Sequence, residues 1–278
     1  HISRYPVFVP GNVIARGLQQ VDHSIHDPLH LPRRKLDTGE AGSLMTHSPL
    51  VVANRLLAKL GYQEVCWTLL SQCHQPSNAS PVYSFLKFAV PVSTCTDKDL
   101  LHVTGREKEC PHPAWALNHT VHQARGPVDA KVVLHCHDDV SALFSAGKRP
   151  IRPLIQDSVY FYGDRLVTHA PQDSHQVLLR KLQEQPHAIA ANLLNHGSLV
   201  WGRTIPEAIM RFYYLRRAMD VQLKAEALAG VPMHEPPAEL VAELQRQWED
   251  EADPVFGGMA NEYDYLLAEH GLRQPHRN

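Results

Sequence analysis

The chain has 278 residues, 44% of them hydrophobic and 20% charged, which is enough apolar material for one large buried core. Its formal net charge of -2 provides no electrostatic basis for binding nucleic acid or an anionic membrane surface. It contains no apolar run long enough to cross a bilayer and no charged-then-apolar leader, so we expect a cytoplasmic protein without a membrane partner.

Cysteine usage agrees with a reducing compartment. The number of cysteines is odd and no Cys-x-x-Cys spacing occurs, so neither a disulfide framework nor a zinc ribbon is predicted. The five are Cys66, Cys73, Cys95, Cys110 and Cys136. Histidine is the over-represented residue, with 19 positions, and such abundance supplies metal ligands but also produces histidine motifs by chance.

The N-terminal segment differs from the rest of the chain. Prolines and glycines punctuate residues 1–45 without a sustained hydrophobic period, which predicts an irregular arm. We expect a single folded domain over residues 46–278. Its first element is a helix, because Ser48 and Pro49 form a good helix start and an apolar face at helical spacing then runs to Gly61.

Short elements occupy the next stretch of sequence. Residues 65–70 and 82–90 are β-like and are separated by turn-forming residues. Residues 97–101 predict a short helical turn, and residues 115–125 predict a helix.

The clearest predicted strand covers residues 131–137, which are short and β-branched. A second apolar strand, residues 188–194, leads into a turn and continues beyond it at residues 199–201. The best helix begins after Thr204 with a capping-box pattern and ends at Gly230.

The tail from residue 232 to residue 278 predicts one more helix, over residues 238–248. Mixed short strands and helices without an internal repeat favour an α/β or α+β sandwich in one domain.

Three histidines at strand ends form a candidate metal site. Because side chains alternate along a strand, His135 and His137 point the same way, as a divalent ion requires of two ligands from one strand. His196 ends the second strand, and Gly197 lets the backbone turn closely beside it. The alternative is that His196 only closes a turn.

A further histidine pair, His119 and His122, is spaced for one helix face. We interpret it as the solvent-exposed face of an amphipathic helix rather than as a second metal site.

These motifs resemble the class II aldolase/adducin head family. Residues 132–138 resemble its strand with paired histidine ligands, residues 194–208 its third-ligand signature and following helix, and residues 56–62 its first core helix. The resemblance covers residues 48–230. It implies a three-layer α/β/α sandwich around a central, largely antiparallel sheet, in a fourfold homotetramer whose metal sites lie near subunit contacts.

Two departures from the family separate this chain from its sugar-phosphate aldolases. Ala114 stands where those aldolases carry a glutamate that serves as acid/base and metal ligand, and a methyl group cannot transfer a proton. Their phosphate-binding loops are also not recognisable here. Residues 218–225 resemble the branch that lacks the glutamate, which includes adducin-like proteins and the aminocoumarin-pathway non-haem iron oxygenases that oxidatively decarboxylate a prenylated hydroxyphenylpyruvate and the derived mandelate.

The leading functional hypothesis is a metal-dependent enzyme that breaks a carbon–carbon bond in a small α-keto or α-hydroxy carboxylic acid, including an aromatic one. The metal would be one divalent ion, Fe²⁺ or Zn²⁺ with Mn²⁺ and Co²⁺ as alternatives, held by His135, His137 and His196. The ion would act in a decarboxylating lyase or, with dioxygen as a second partner, in oxidative decarboxylation.

Asp138, Tyr160, Tyr162 and His169 are candidates for proton handling or substrate orientation. Two alternatives remain open from the sequence. One is a non-catalytic, adducin-like interaction module, and the other is a sugar aldolase that uses another acid/base.

Overall fold

The computed structural model describes residues 47–75, 80–104, 112–228, 230–250 and 259–272. Over these residues, a seven-stranded sheet lies between helices on both of its faces. The predicted N-terminal arm, residues 1–45, lies outside the described residues.

The chain alternates between strands and helices in an irregular order. The strands are β1 (Leu69–His74), β2 (Val82–Leu86), β3 (Leu100–Val103), β4 (Val132–Cys136), β5 (Leu166–His169), β6 (Ala190–Leu193) and β7 (Gly197–Gly202). The helices are α1 (Pro49–Lys59), α2 (Trp115–Asp129), α3 (Asp139–Ser145), α4 (Gln156–Val159), α5 (His175–Glu184), α6 (Ile205–Ala227), α7 (Ala238–Glu249) and α8 (Ala260–Glu269).

The strands follow the order β3-β2-β1-β4-β7-β6-β5 across the sheet. Neighbouring strands are antiparallel except β5 and β6, which are parallel. The predicted α/β/α architecture around a largely antiparallel sheet is therefore confirmed.

The two faces of β4 meet different helix layers. Helix α6 packs with α1, α3, α4 and α8 on one side of the sheet, whereas α2 packs with α5 on the other. Leu134 and Cys136 belong to the cluster under α6, and Val133 belongs to the cluster under α2. His135 lies two residues after Val133, so its side chain is on the α2 side.

The predicted helices that begin after Ser48 and after Thr204 are confirmed. Ser48 is the N-cap of α1, and Thr204 caps α6 by accepting a hydrogen bond from the backbone N–H of Glu207. The Glu207 carboxylate accepts from the backbone N–H of Arg203 rather than from the N-cap residue, so the capping box is shifted by one residue. No helix in the described ranges has the length and apolarity needed to span a membrane.

The strand predicted over residues 65–70 is wrong. Residues 65–67 form a turn, and Val65 has a positive φ of 44°, which a β-branched residue rarely adopts. The strand begins only at Leu69 and continues to His74, four residues beyond the predicted end. The strand predicted over 82–90 ends at Leu86, and the turn over 97–101 is a short 3₁₀ helix followed by β3.

Five elements have no counterpart among the predicted ones. They are α3, α4, α5, β5 and the tail helix α8. Strand β5 has only four residues, which is too short for a period to stand out, and its identity depends on pairing with β6.

Candidate metal centre

His135, His137 and His196 meet at one end of the sheet. His135 is the penultimate residue of β4, His137 follows the strand directly, and His196 ends the turn between β6 and β7. Because Cys136 pairs with Ser198, the end of β4 lies against the start of β7. Antiparallel pairing thus brings two distant segments to the same place.

The three imidazoles are close enough to share an ion. The Nε2 atoms of His135 and His137 are 3.0 Å apart, and one nitrogen from each of the three histidines lies within 4.8 Å of the others. Two nitrogens bound to one ion at about 2.1 Å are roughly 3.0–3.4 Å apart, so small side-chain adjustments suffice.

A buried serine fixes the turn that carries His196. The Oγ of Ser145, at the end of α3, accepts a hydrogen bond from the His196 backbone N–H at 3.1 Å, and the Ser145 carbonyl accepts from Asn195 N–H at 2.9 Å. Asn195 has a φ of 56°, a left-handed conformation that asparagine tolerates better than most residues. No sequence pattern indicated this role for Ser145.

Gly197 is needed for close approach of two backbone segments. A Cβ at this position would lie 2.4 Å from the carbonyl oxygen of Cys136 and 3.1 Å from Cα of His137. The absence of a side chain therefore allows the turn bearing His196 to reach the end of β4, as the sequence predicted.

Glu64 is a member of the site that the sequence analysis missed. Its Oε2 lies 2.7 Å from Nδ1 of His137, and a carboxylate can only accept, so Nδ1 carries the hydrogen. In the neutral ring the lone pair is then on Nε2, which points toward His135. Orientation of a ligand histidine by a carboxylate in this way is a common feature of metal sites.

The electrostatic setting keeps at least two of the imidazoles neutral. Burial holds the pKa of His135 well below its ordinary value, and the neighbouring His137 and His196 lower it further. Burial, followed by the effect of His137, also lowers the pKa of His196. Neutral imidazole is the form that binds metal ions.

The donor set fits a divalent ion with open positions. Nδ1 of His135 is buried and has no hydrogen-bond partner among the described residues, while His196 is exposed to solvent. Three nitrogen ligands with one accessible side match a catalytic site rather than a closed structural one.

Among the described residues, which resume at His112, the start of α2 contains no proton-transferring carboxylate. Ala114 is the N-cap of α2 and lies in an apolar cluster with Trp115 and Phe85. The ring of His112 adjoins it, and Nδ1 of that ring accepts a hydrogen bond from the Ala114 backbone N–H at 3.2 Å. Burial lowers the pKa of His112 to about 4, so the ring is neutral.

Asp138 faces away from the histidines. Its Oδ2 accepts hydrogen bonds from the backbone N–H of Val140 and, at 2.6 Å, from Nε of Arg216 on α6. Alternation after β4 places this carboxylate on the α6 side, and its contacts are those of a helix cap and an ion pair.

Tyr160 is located at the opposite end of β7. It stacks on Trp248, and its hydroxyl accepts a hydrogen bond from Arg211, which also binds the carbonyl of Trp201. Trp201 is four residues from Gly197, about 13 Å along the strand, so the structure does not bring Tyr160 to the histidine cluster. Tyr162 is partly exposed on the same side of the fold as Tyr160.

His169 is close to the cluster. It ends β5, pairs in register with Leu193 of β6, and lines a cavity together with His196. Of the four residues proposed for proton handling or orientation, His169 is the one placed beside the histidine cluster.

The prediction that His119 and His122 lie on a solvent-exposed helix face is wrong, because both side chains are buried. Nδ1 of His122 donates to the carbonyl of Ala130 at 2.7 Å, and Nε2 lies 2.9 Å from the Ser71 hydroxyl. His119 stacks on Trp115. This pair therefore joins α2 to the sheet.

Sequence comparison finds relatives over most of the domain. Residues 48–223 match the Class II Aldolase and Adducin N-terminal domain family. Decarboxylase NovR of Streptomyces niveus is 33% identical over 210 residues, or 70% of this chain and 74% of that protein. A protein of Streptomyces roseochromogenus subsp. oscitans, named 4-hydroxy-3-prenylphenylpyruvate oxygenase/4-hydroxy-3-prenylbenzoate synthase, is 33% identical over 64% of this chain and 67% of its own length.

Solved structures share the fold. An aldolase II superfamily protein from Pseudomonas syringae superposes with a TM-score of 0.67 at 22% identity, over 80% of this chain and 90% of that one. L-fuculose 1-phosphate aldolase from Glaciozyma antarctica PI12 gives a TM-score of 0.66 at 23% identity, over 80% and 88% of the two chains. The sequence match and the three-histidine strand-end geometry together show that the chain belongs to the class II aldolase and adducin N-terminal domain family.

Proposed function

We propose that the protein is a metal-dependent enzyme that removes carbon dioxide from a small α-keto or α-hydroxy carboxylic acid. The observation that supports this proposal is the cluster of three histidines. His135 is buried in the fold, and His196 is exposed to solvent. The names of the two Streptomyces relatives, a decarboxylase and an oxygenase, support the same reaction class.

The protein's own groups provide binding and orientation. In this proposal His135, His137 and His196 hold one divalent ion, Fe²⁺ or Zn²⁺ with Mn²⁺ and Co²⁺ as alternatives, and Glu64 fixes the ring of His137. When bound, the ion supplies a positive charge that holds the acid's oxygens and withdraws electrons as the carbon–carbon bond breaks.

The missing carboxylate at Ala114 favours decarboxylation over aldol cleavage. Aldol cleavage begins with removal of a hydroxyl proton, and the part of the chain that the structure describes offers no carboxylate for that step at the start of α2. Loss of carbon dioxide from a carboxylate needs no such proton abstraction.

Dioxygen is the proposed oxidant for both a simple α-keto acid and a simple α-hydroxy acid. If carbon dioxide leaves either acid without an oxidant, the electron pair of the broken bond stays on the carbon that carried the carboxylate, where neither the keto nor the hydroxyl group can delocalise it. An oxidative route removes this difficulty, and iron(II) with open positions is the ion suited to it.

The proposal is tested by preparing the protein metal-free and loading it with Fe²⁺ under anaerobic conditions, or with Zn²⁺. Each form is incubated with α-keto and α-hydroxy acids while carbon dioxide release and oxygen consumption are measured. We expect metal-dependent release that disappears in His196→Ala. Absence of release with every ion and acid in the panel would contradict the proposal.

An adducin-like interaction module is the second candidate, and Ala114 in its apolar cluster is the observation that favours it. Such a module would fold normally without a stoichiometric ion. Elemental analysis of the purified protein separates the two functions.

The homotetramer implied by the family resemblance remains part of the proposal. Val65 is 81% exposed and Trp67 40% exposed, and both follow Glu64 in the loop beside the histidines. Apolar side chains at this position suit a subunit contact. Light scattering of the full chain tests this, with a mass four times that of the monomer as the expected result.

A further inference from the structure

A cavity of about 220 Å³ opens beside His196, outside the cluster of ligand nitrogens. It lies between the start of α2, the ends of β5 and β6, and the segment that leads into α5. Half of the eight lining residues are apolar, namely Leu117, Pro171, Leu193 and Leu194, and the other half are polar, namely His169, Asp173, His175 and His196. A dry apolar cavity of about 150 Å³ accommodates benzene in another protein, so this one has room for a single substituted ring.

The cavity is connected to the proposed metal site through the fold. Strands β5 and β6 are parallel, so their carboxyl ends lie at the same edge of the sheet. The turn after β6 contributes Leu194 to the wall and also carries His196. A molecule held at the histidine cluster by its carboxylate end can therefore extend into the cavity.

One polar group in the wall lacks a partner. His169 is only 6% exposed, and its Nδ1 is buried without a hydrogen-bond partner among the described residues. A buried polar atom without a partner is costly, and a hydroxyl group on a bound molecule would satisfy it.

We propose that this cavity binds the ring of an aromatic acid whose carboxylate end is held at His135, His137 and His196, and that Nδ1 of His169 hydrogen-bonds a hydroxyl group on that ring. This inference rests on the proposed function, because the histidine cluster must anchor the acid. It assigns His169 a role in specificity rather than in bond cleavage.

The test uses binding and does not depend on turnover. The full chain is loaded with Co²⁺, and dissociation constants are measured from the cobalt absorption spectrum for pyruvate, phenylpyruvate and 4-hydroxyphenylpyruvate. These probes share the chelating end and differ in the ring and its hydroxyl group. We expect the ring to tighten binding about thirtyfold and the hydroxyl group to add about threefold to tenfold.

Three variants show which side chains cause these gains in affinity. Leu117→Trp fills the cavity and should remove the advantage of both ring-bearing acids while leaving pyruvate binding unchanged. His169→Phe should abolish only the preference for the hydroxyl group, and His169→Asn should restore part of it. Leu240→Trp, at an exposed position on α7, is the control and should change nothing.

The outcomes separate this inference from the proposed function. Equal binding of the three probes, or equal effects of Leu117→Trp on all of them, would overturn the cavity assignment while leaving chelation and cleavage intact. Selective binding of the ring-bearing acids without carbon dioxide release would support the cavity and contradict the proposed reaction. If none of the three acids binds the cobalt-loaded protein, both are overturned.

Discussion

Glu64 accepts a hydrogen bond of 2.7 Å from Nδ1 of His137, across 73 residues of sequence. The contact sets which nitrogen of His137 carries the hydrogen and aims the other nitrogen at His135. It also places a carboxylate next to a site whose three proposed ligands would bind an ion through uncharged nitrogen atoms.

Replacing Glu64 should weaken metal binding without unfolding the protein. Loss of a carboxylate that orients a ligand histidine typically costs tenfold to a hundredfold in metal affinity. We expect Glu64→Ala to fall in this range and Glu64→Gln, which keeps an acceptor but loses the charge, to be milder. Competition with a chelator of known affinity measures the change, and Glu239→Gln on the exposed face of α7 is the control. Equal affinities for wild type and Glu64→Ala would show that the contact does not act on the ion.

Gly197→Ala should distort the site. The new Cβ would lie 2.4 Å from the Cys136 carbonyl oxygen, so the turn carrying His196 must move away from β4. We expect a loss of about 3 kcal/mol in the free energy of unfolding, together with weaker metal binding. Denaturant unfolding and chelator competition check the two effects.

Gly163→Ala is the matched control for that experiment. Gly163 has a positive φ of 76°, but a Cβ there meets no atom within 4 Å. Its replacement should cost about 1 kcal/mol from backbone strain and leave metal affinity unchanged. If both alanine variants behave alike, close packing at Gly197 is not what shapes the site.

Asp138 and Arg216 should be coupled in stability and separate from metal binding. The Asp138 carboxylate is almost fully buried, and its 2.6 Å bond to Arg216 joins the start of α3 to α6. A double-mutant cycle with Asp138→Asn and Arg216→Gln should give a coupling energy of about 1–3 kcal/mol. Metal content should be unchanged in all three variants. Loss of metal from Asp138→Asn alone would show that Asp138 contributes to the metal site.

His122 should make the protein less stable in acid. Burial lowers its pKa to about 4, whereas the unfolded chain binds a proton near 6.5. The unfolded state therefore gains a proton first as pH falls, and the stability present above pH 6.5 decreases by about 3 kcal/mol by pH 4. The ring offers no site for a second proton without breaking its contact with Ser71.

His122→Phe should reduce the pH dependence of unfolding between pH 6.5 and 5 by one proton, about 1.4 kcal/mol per pH unit. The slope should not vanish, because His112 has a similarly lowered pKa. Denaturant titrations at several pH values measure this. An unchanged slope in the variant would mean that His122 is not the group that titrates.

The sequence predicted those parts of the site that depend on local geometry. His135 and His137 follow from alternation along one strand, and His196 with Gly197 follows from a strand that ends in a turn. Helix α6 was also visible, because its cap and first turn are local signals.

Tertiary contacts explain what the sequence did not reveal. Ser145 reaches His196 across 51 residues, and no pattern around either residue signals that contact. Val65 belongs to a β-favouring stretch, but its left-handed backbone turns the chain before β1. His119 and His122 have the spacing of an exposed face, yet the rings of Trp115 and Tyr83 cover them.

Metal stoichiometry of the purified protein and its single histidine variants tests the central claim most directly. Elemental analysis after loading with Fe²⁺ or Zn²⁺ should give one ion per chain in the wild type. The same analysis should give well under one ion per chain in His135→Ala, His137→Ala and His196→Ala, with His187→Ala as a histidine control that retains the ion. If His135→Ala and His196→Ala both keep a full ion while remaining folded, these three residues do not form the metal site.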